Sequence, residues 1–206
     1  MDEHPLFLVS RKLFSGNQIS SLPGGESYYM RVLKAGLAEL SREELLAVVE
    51  MFSSNWLTVD GLWFTLVEDK YGLEAALELD MKMWKQQGLI EARRIKKYMG
   101  IEGGGVKGVL KALRFMTFDP AMPFEYSLDE TNQDTAYMWV PFCRPQEGRR
   151  KAARSEFPCK TMGMACYESL VQVIDPSVKV ECLFAPPDDH PGDAWCKWKF
   201  TLTSPE

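Results

Sequence analysis

The spacing of the hydrophobic residues changes from a helical period to a strand period near Pro120. Upstream, apolar side chains recur every three or four residues, which is typical of amphipathic helices. Downstream, short segments alternate apolar and polar residues, which is typical of half-buried strands. The pattern predicts an α+β fold, with a helical N-terminal half packed with a C-terminal antiparallel sheet of about four strands plus one helix. We expect a single domain over residues 1–206, with a helical part at 26–118 and a sheet part at 119–206.

The helical part is predicted to contain helices at residues 28–40, 41–71, 73–99 and 106–116. Ser41 and Glu44 form the capping-box pattern that begins the second of these helices. The apolar residues of that helix occupy a wide arc of its surface, from which we expect it to be central in the core.

Polar side chains interrupt the apolar stripe of the helix at 73–99. Buried polar groups must find partners or line a cavity. One interpretation pairs them with Arg93, Arg94 or the backbone. The other places them in a polar pocket, shared with the preceding helix, that binds a small molecule and in which two carboxylates act as acid and base if burial shifts their pKa values. The residues of this predicted pocket are Asn55, Asp60, Asp80, Gln87 and Glu91.

The sheet part is predicted to contain strands at 124–128, 136–142, 178–184 and 194–202, with a helix that begins near Cys159 and ends before Asp175. Arg144 to Arg154 form a basic segment. Charge runs of this size are usually solvated loops, so a loop is predicted, with an anionic ligand as the alternative.

The last two predicted strands each place a cysteine on their apolar face, namely Cys182 and Cys196. If these strands pair as a hairpin, both thiols lie near its loop, which contains His190. Cys159, at the start of a helix that covers the same face, is a third candidate ligand, and His190 or a water is the fourth. Such a set favours zinc or iron. The alternative is that the cysteines are buried thiols that behave as small hydrophobic residues. Cys143 is interpreted as structural.

The same groups allow nucleophilic catalysis. The dipole of the helix that begins at Cys159 is expected to favour its thiolate. His190 is the candidate base, and Asp188 or Asp189 can orient its imidazole.

Composition narrows the classes of function. The chain has 206 residues, 46% of them hydrophobic, and a formal net charge of −5. These values predict a globular protein and provide no electrostatic reason to expect nucleic acid or an anionic membrane as a partner. We expect a cytoplasmic protein, because no signal-peptide pattern or membrane-length apolar run is found. Five cysteines then indicate free thiols or metal ligands rather than a disulfide framework.

The C-terminal motif carries a resemblance to known families. The stretch from Cys182 to Gly192-Asp193-Ala194-Trp195-Cys196-Lys197-Trp198-Lys199-Phe200 resembles the end of the 4-vinyl reductase-type domain. It is also similar to the Gly-Asp-x-x-Cys-x-x-x-Phe pattern of the L-2-amino-thiazoline-4-carboxylic acid hydrolase family. The loop between the two cysteines is longer here than in the 4-vinyl reductase-type domain. The resemblance implies an α+β ligand-binding fold with zinc ligands at Cys159, at Glu181 or Cys182, and at Cys196.

A wider resemblance, from about residue 40 onward, is to an uncharacterised family of cytosolic proteins from anaerobic prokaryotes. The segments that carry it are Asn55-Trp56 to Trp63-Phe64, Glu91-Ala92-Arg93-Arg94, Pro158-Cys159-Lys160, and Pro186-Pro187-Asp188 to His190-Pro191.

Three functional hypotheses follow. The first is a small-molecule-binding or sensing protein with a cysteine-based metal site that holds zinc or iron. The second is a hydrolase of a small cyclic amidine or amide that uses Cys159 with His190 or a metal-activated water. The third is a structural protein with inert thiols. A homodimer is compatible with each of them.

Overall fold

A computed structural model describes residues 36–203, and most of the predicted helix at 28–40 lies outside this range. Contacts divide the chain into two units between Val48 and Val49. The helical half contains α1 (Arg42–Tyr71), α2 (Leu73–Met99) and α3 (Gly105–Leu113), followed by a 3-10 turn at Asp119–Ala121. The predicted capping box is present, because Ser41 N donates to Glu44 Oε2 and Glu44 N donates to Ser41 Oγ. Within residues 36–203, no helix combines the length and the hydropathy that a membrane span requires.

The C-terminal half forms one four-stranded antiparallel sheet with strand order β1-β2-β4-β3. Its elements are β1 (Glu125–Leu128), β2 (Thr135–Val140), α4 (Arg144–Lys151), α5 (Lys160–Ile174), β3 (Val178–Phe184) and β4 (Cys196–Leu202). The predicted α+β class is confirmed. The predicted hairpin is also present, because β3 pairs with β4 and Cys182 lies opposite Trp198.

The core lies where α2 and α5 pack on each other and α5 packs on the sheet. Two glycines allow these close approaches. A Cβ on Gly88 would lie 2.9 Å from the Cys166 carbonyl oxygen, and one on Gly163 would lie 2.6 Å from Cζ2 of Trp198. Real Cβ atoms do not come this close to other atoms, so larger residues at either position would separate the layers.

The basic segment predicted as a loop is instead α4. Pro145 occupies the first turn, where its missing N–H removes no hydrogen bond. Glu147 forms an ion pair with Arg150 one turn later. Gln146 and Arg149, three residues apart, are both buried. The prediction was wrong because the inward face of this helix is polar, so hydrophobic periodicity could not reveal it.

The prediction that α1 is central was also wrong. Among its residues only Ser53 is buried. Several large apolar side chains are more than half exposed, including Phe52 at 61%, Trp63 at 67% and Leu66 at 61%. The wide apolar arc therefore extends beyond the part of α1 that faces the rest of the structure.

Candidate functional site

A cavity of about 510 Å³ lies between the two long helices and the layer formed by α4, α5 and the sheet. Leu57 on α1 and Trp84 on α2 line one side of it. Met162 on α5, Val140 at the end of β2 and Trp198 on β4 also line it. The volume is within the range of small-molecule sites in proteins.

The wall of the cavity is predominantly aromatic. Tyr167 and Trp198 meet edge to face with ring centroids 4.9 Å apart. Trp84 and Phe118 do the same at 5.7 Å. These contacts are favourable aromatic geometries that hold the rings in place. The aromatic lining residues are Phe64, Trp84, Phe118, Phe124, Phe157, Tyr167 and Trp198.

Two carboxyl groups from different helices meet on this wall. Asp60 lies on α1 and Asp80 on α2, and both also line a smaller neighbouring pocket of about 130 Å³. Burial raises the pKa of Asp60 to about 6. Burial and then the negative charge of Asp60 raise the pKa of Asp80 to about 7, which a hydrogen-bonding interaction with Trp84 partly offsets. Near neutral pH the pair therefore tends to keep a proton, as like charges in a desolvated site do.

Three arginines of the described part of the chain line the cavity, and two of them are paired with acidic side chains of α1. Arg149 makes a two-pronged ion pair with Glu68 at 2.7 and 3.0 Å, and its Nε donates to the Ser155 carbonyl oxygen. Arg154 pairs with Glu68 and with Asp69. These bonds attach α4 and the segment after it to α1.

Arg144 makes a different contact. Its Nη1 donates to Ser54 Oγ at 2.8 Å. Ser54 is neutral, so this hydrogen bond does not compensate the positive charge of Arg144.

Gln146, which the sequence did not single out, fixes another part of the wall. Its Nε2 donates to the Phe157 carbonyl oxygen and its Oε1 accepts from the Phe157 N–H, both at 2.8 Å. The amide thereby holds the segment that leads to Cys159. Its three-residue spacing from Arg149 is a faint helical signal that could have indicated its inward direction.

Four cysteines line the cavity, namely Cys143, Cys159, Cys166 and Cys196. Cys143, interpreted from the sequence as structural, is among them because Val140 pairs with Cys196, which brings the end of β2 beside the start of β4. Burial raises the pKa of the Cys143 thiol to about 11 and that of Cys196 to about 12.

The predicted metal ligands are distributed differently. Cys159 and Cys196 line the cavity, whereas Cys182 and His190 do not. Among residues 36–203, no three His, Cys, Asp or Glu side chains are grouped so that they could hold a metal ion. The structure therefore adds no support to the prediction of zinc or iron at Cys159, Cys182, Cys196 and His190.

The surroundings of Cys159, the predicted nucleophile, and of His190, the predicted base, differ from those expected for these roles. Burial, followed by the influence of the neighbouring cysteines, raises the pKa of Cys159 rather than lowering it. The direction is opposite to the one expected for a thiolate favoured by the helix dipole, because burial disfavours the charged form of the thiol. His190 Nε2 lies 3.6 Å from Glu156 Oε2, and its ring centroid lies 4.9 Å from that of Trp195. Asp188, a candidate to orient the imidazole, pairs instead with Lys160 at 2.7 Å.

The remaining residues of the predicted pocket lie elsewhere. Asn55 is exposed and Gln87 is half-buried, and neither lines the cavity. Glu91 is buried, and its Oε1 accepts hydrogen bonds from the backbone N–H and the hydroxyl of Thr117. For Glu91, the interpretation that a polar group on the stripe pairs with the backbone therefore applies.

Comparison with known proteins adds a family assignment. A family model described as "Family of unknown function (DUF6125)" matches residues 38–202. The chain belongs to this family. No curated protein and no solved structure matches the chain.

The DUF6125 match includes α1 through β4 and thus the whole cavity wall. It confirms the expectation that the chain belongs to an uncharacterised family. The resemblance to the 4-vinyl reductase-type domain and to the amino-thiazoline carboxylate hydrolase family stays a prediction.

Proposed function

We propose that the protein binds a small, largely apolar molecule, and that aromatic rings are the main feature the site recognises. The supporting observation is the cavity of about 510 Å³ with seven aromatic side chains on its wall. A cavity of this size is large enough for a ligand of one to three rings, and burying the ligand's apolar surface would provide most of the affinity.

The contacts around the cavity support a pre-formed site. Gln146 and the Arg149–Glu68 ion pair hold its borders through buried groups whose partners come from separate segments. Pre-organisation of this kind lowers the entropy lost when a ligand binds. The proposal includes no metal, since its support comes from the cavity alone. The hydrolase that uses Cys159 and His190 stays a prediction.

A neutral aromatic probe tests the proposal. Isothermal titration of the full chain with 1-naphthalenemethanol should give a Kd below about 1 mM, a realistic value for a compact ligand of this size. Leu57→Trp should weaken this binding at least about tenfold, because the larger ring occupies part of the cavity. Met162→Trp, which changes another part of the wall, should act in the same direction.

The matched control is Val59→Trp on the same helix. Val59 is 54% exposed and does not line the cavity, so this variant should bind the probe as the wild type does. Far-UV circular dichroism and urea unfolding verify that each variant is folded. Absence of binding by the wild type, or equal binding by folded Leu57→Trp and Met162→Trp, would contradict the proposal. The second result would mean that the probe binds to another surface, such as the exposed apolar face of α1.

A further inference from the structure

Some of the charged side chains on the cavity wall have an ion-pair partner and others do not. Arg149 and Arg154 are paired with acidic side chains outside the cavity, as described above. Asp60 and Asp80 have no ion pair with any residue in the described range 36–203. Arg144 lines the same cavity but is not among the groups that shift the pKa of either carboxyl group. The two carboxyl groups are therefore available to a cation that enters the cavity.

Buried polar atoms on the same wall also lack partners. Asp80 Oδ2 is buried and accepts no hydrogen bond from residues 36–203. The Trp198 side chain is 2% exposed, and its Nε1 likewise has no hydrogen-bond partner in this range. The indole N–H lies near enough to the Cys196 sulfur to lower the pKa of that thiol, but sulfur is a weak acceptor. Unsatisfied buried polar groups are rare and costly, so both atoms indicate a ligand with polar atoms of its own. Asp80 Oδ2 can accept from a donor on the ligand, whereas the Trp198 N–H is a donor and would need an acceptor elsewhere on the ligand.

We propose that Asp60 and Asp80 receive the positively charged amino group of the ligand, so that the ligand class is a compact aromatic or aliphatic amine. This inference rests on the proposed binding function and specifies its ligand. The geometry that carries it is the convergence of two uncompensated carboxyl groups from separate helices on an aromatic cavity wall.

The surroundings suit an organic cation better than an inorganic one. Phe64 and Trp84 lie on the same helices as the two carboxyl groups and line the same cavity, and aromatic faces attract organic cations. A bound ammonium group would replace the proton that the carboxyl pair tends to keep, so the site would change from a proton-sharing pair to two carboxylates around one cation. The ligand's apolar body would then occupy the remaining space.

The test compares two probes that differ only in charge and in one polar group. The full chain is titrated at pH 7 with 1-naphthylmethylamine and with the neutral 1-naphthalenemethanol. The amine should bind at least about tenfold more tightly, which is a typical effect of an opposite charge in a partly desolvated site. In Asp80→Asn this preference should fall to about threefold or less, while the Kd of the alcohol should stay within about twofold of the wild-type value.

Two further variants complete the design. Asp60→Asn should reduce the preference for the amine in the same direction and provides a second route if Asp80→Asn does not fold. The control is Asp193→Asn, which removes one exposed carboxylate outside the cavity and should leave the preference unchanged.

The outcomes separate the two proposals. Equal binding of amine and alcohol by the wild type would overturn this inference and leave the binding function standing. Retention of the full preference in both folded variants would also overturn it, because another group would then hold the amine. If neither probe binds, the proposed function fails and this inference fails with it.

Discussion

The carboxyl pair of Asp60 and Asp80 should make the unliganded protein less stable as the pH rises. Folding raises the pKa of Asp80 from 3.8 to about 7 and that of Asp60 from 3.8 to about 6. The folded state therefore binds more protons than the unfolded state between these values. By linkage, the free energy of unfolding must decrease as the pH increases through this window.

The magnitude follows from the same values. Each unit of pKa difference corresponds to about 1.4 kcal/mol, so ionising both carboxyl groups in the folded protein opposes folding by several kcal/mol. Part of this cost is already present at pH 5, because the unfolded carboxyl groups are ionised there. Both side chains keep some contact with solvent, which screens part of the remainder. We expect the free energy of unfolding to fall by about 2–3 kcal/mol between pH 5 and pH 8.

Other shifted carboxyl groups act mainly in a lower window. Hydrogen bonds from Thr131 lower the pKa of Asp129 to about 2, and those from Arg149 lower the pKa of Glu68. Groups with lowered pKa values add stability that is lost as the pH falls through their folded pKa. Their contribution is nearly complete by pH 5. Burial also raises the pKa of Asp119, so the double variant described below is needed to assign the loss above pH 5 to Asp60 and Asp80.

Urea unfolding at pH 5, 6, 7 and 8, followed by tryptophan fluorescence and circular dichroism, measures the effect. The matched variant Asp60→Asn/Asp80→Asn should show a much flatter dependence and should be more stable than the wild type at pH 8. A wild-type stability that is constant or rises from pH 5 to pH 8 would refute the reasoning. The same slope in wild type and double variant would assign the effect to other groups.

Three further predictions concern the walls of the cavity, each measured by urea unfolding at pH 7. Gln146→Leu should lower the free energy of unfolding by about 2–3 kcal/mol, because two buried backbone groups lose their partners; a loss below about 0.5 kcal/mol would contradict the contacts. Gly163→Ala should cost about 1–3 kcal/mol through overlap with the Trp198 ring, and an unchanged stability would show that the ring can move. Glu68→Gln should cost about 3 kcal/mol by leaving Arg149 nearly buried without its counter-charge, and a neutral effect would mean that water solvates this arginine.

The strands and the β3–β4 hairpin could be predicted because both strands alternate apolar and polar residues. Val180 and Cys182 on β3, and Trp198 and Phe200 on β4, alternate with polar neighbours, and the structure pairs these strands in antiparallel register. The sequence does not determine which strand pairs with the other edge of β4. That pairing, with β2, places Cys143 beside the cavity, so its position could not be derived from its local sequence.

Helix α4 shows the opposite case. Its sequence, Arg-Pro-Gln-Glu-Gly-Arg-Arg-Lys, contains no strongly apolar residue, and its charge run is typical of a solvated loop. It is helical because its inward face is satisfied by specific polar contacts, namely Gln146 with Phe157 and Arg149 with Glu68. Such partners come from distant segments, so the local sequence pattern cannot predict them.

Helix geometry explains why the residues of the pocket predicted from the sequence do not all lie together. Asp80 and Glu91 share one stripe of α2, yet they are 11 residues apart, which is about 16 Å along the axis. Residues on one stripe point in the same direction, but they can lie far apart along the helix axis. Two carboxyl groups on the stripe therefore need not line the same cavity. Gly72 separates α1 from α2, and Asp60 and Asp80 lie on either side of it. Residues before and after such a break can meet across two helices. Asp60 and Asp80 line the same cavity in this way, whereas Glu91, farther along α2, reaches Thr117 instead.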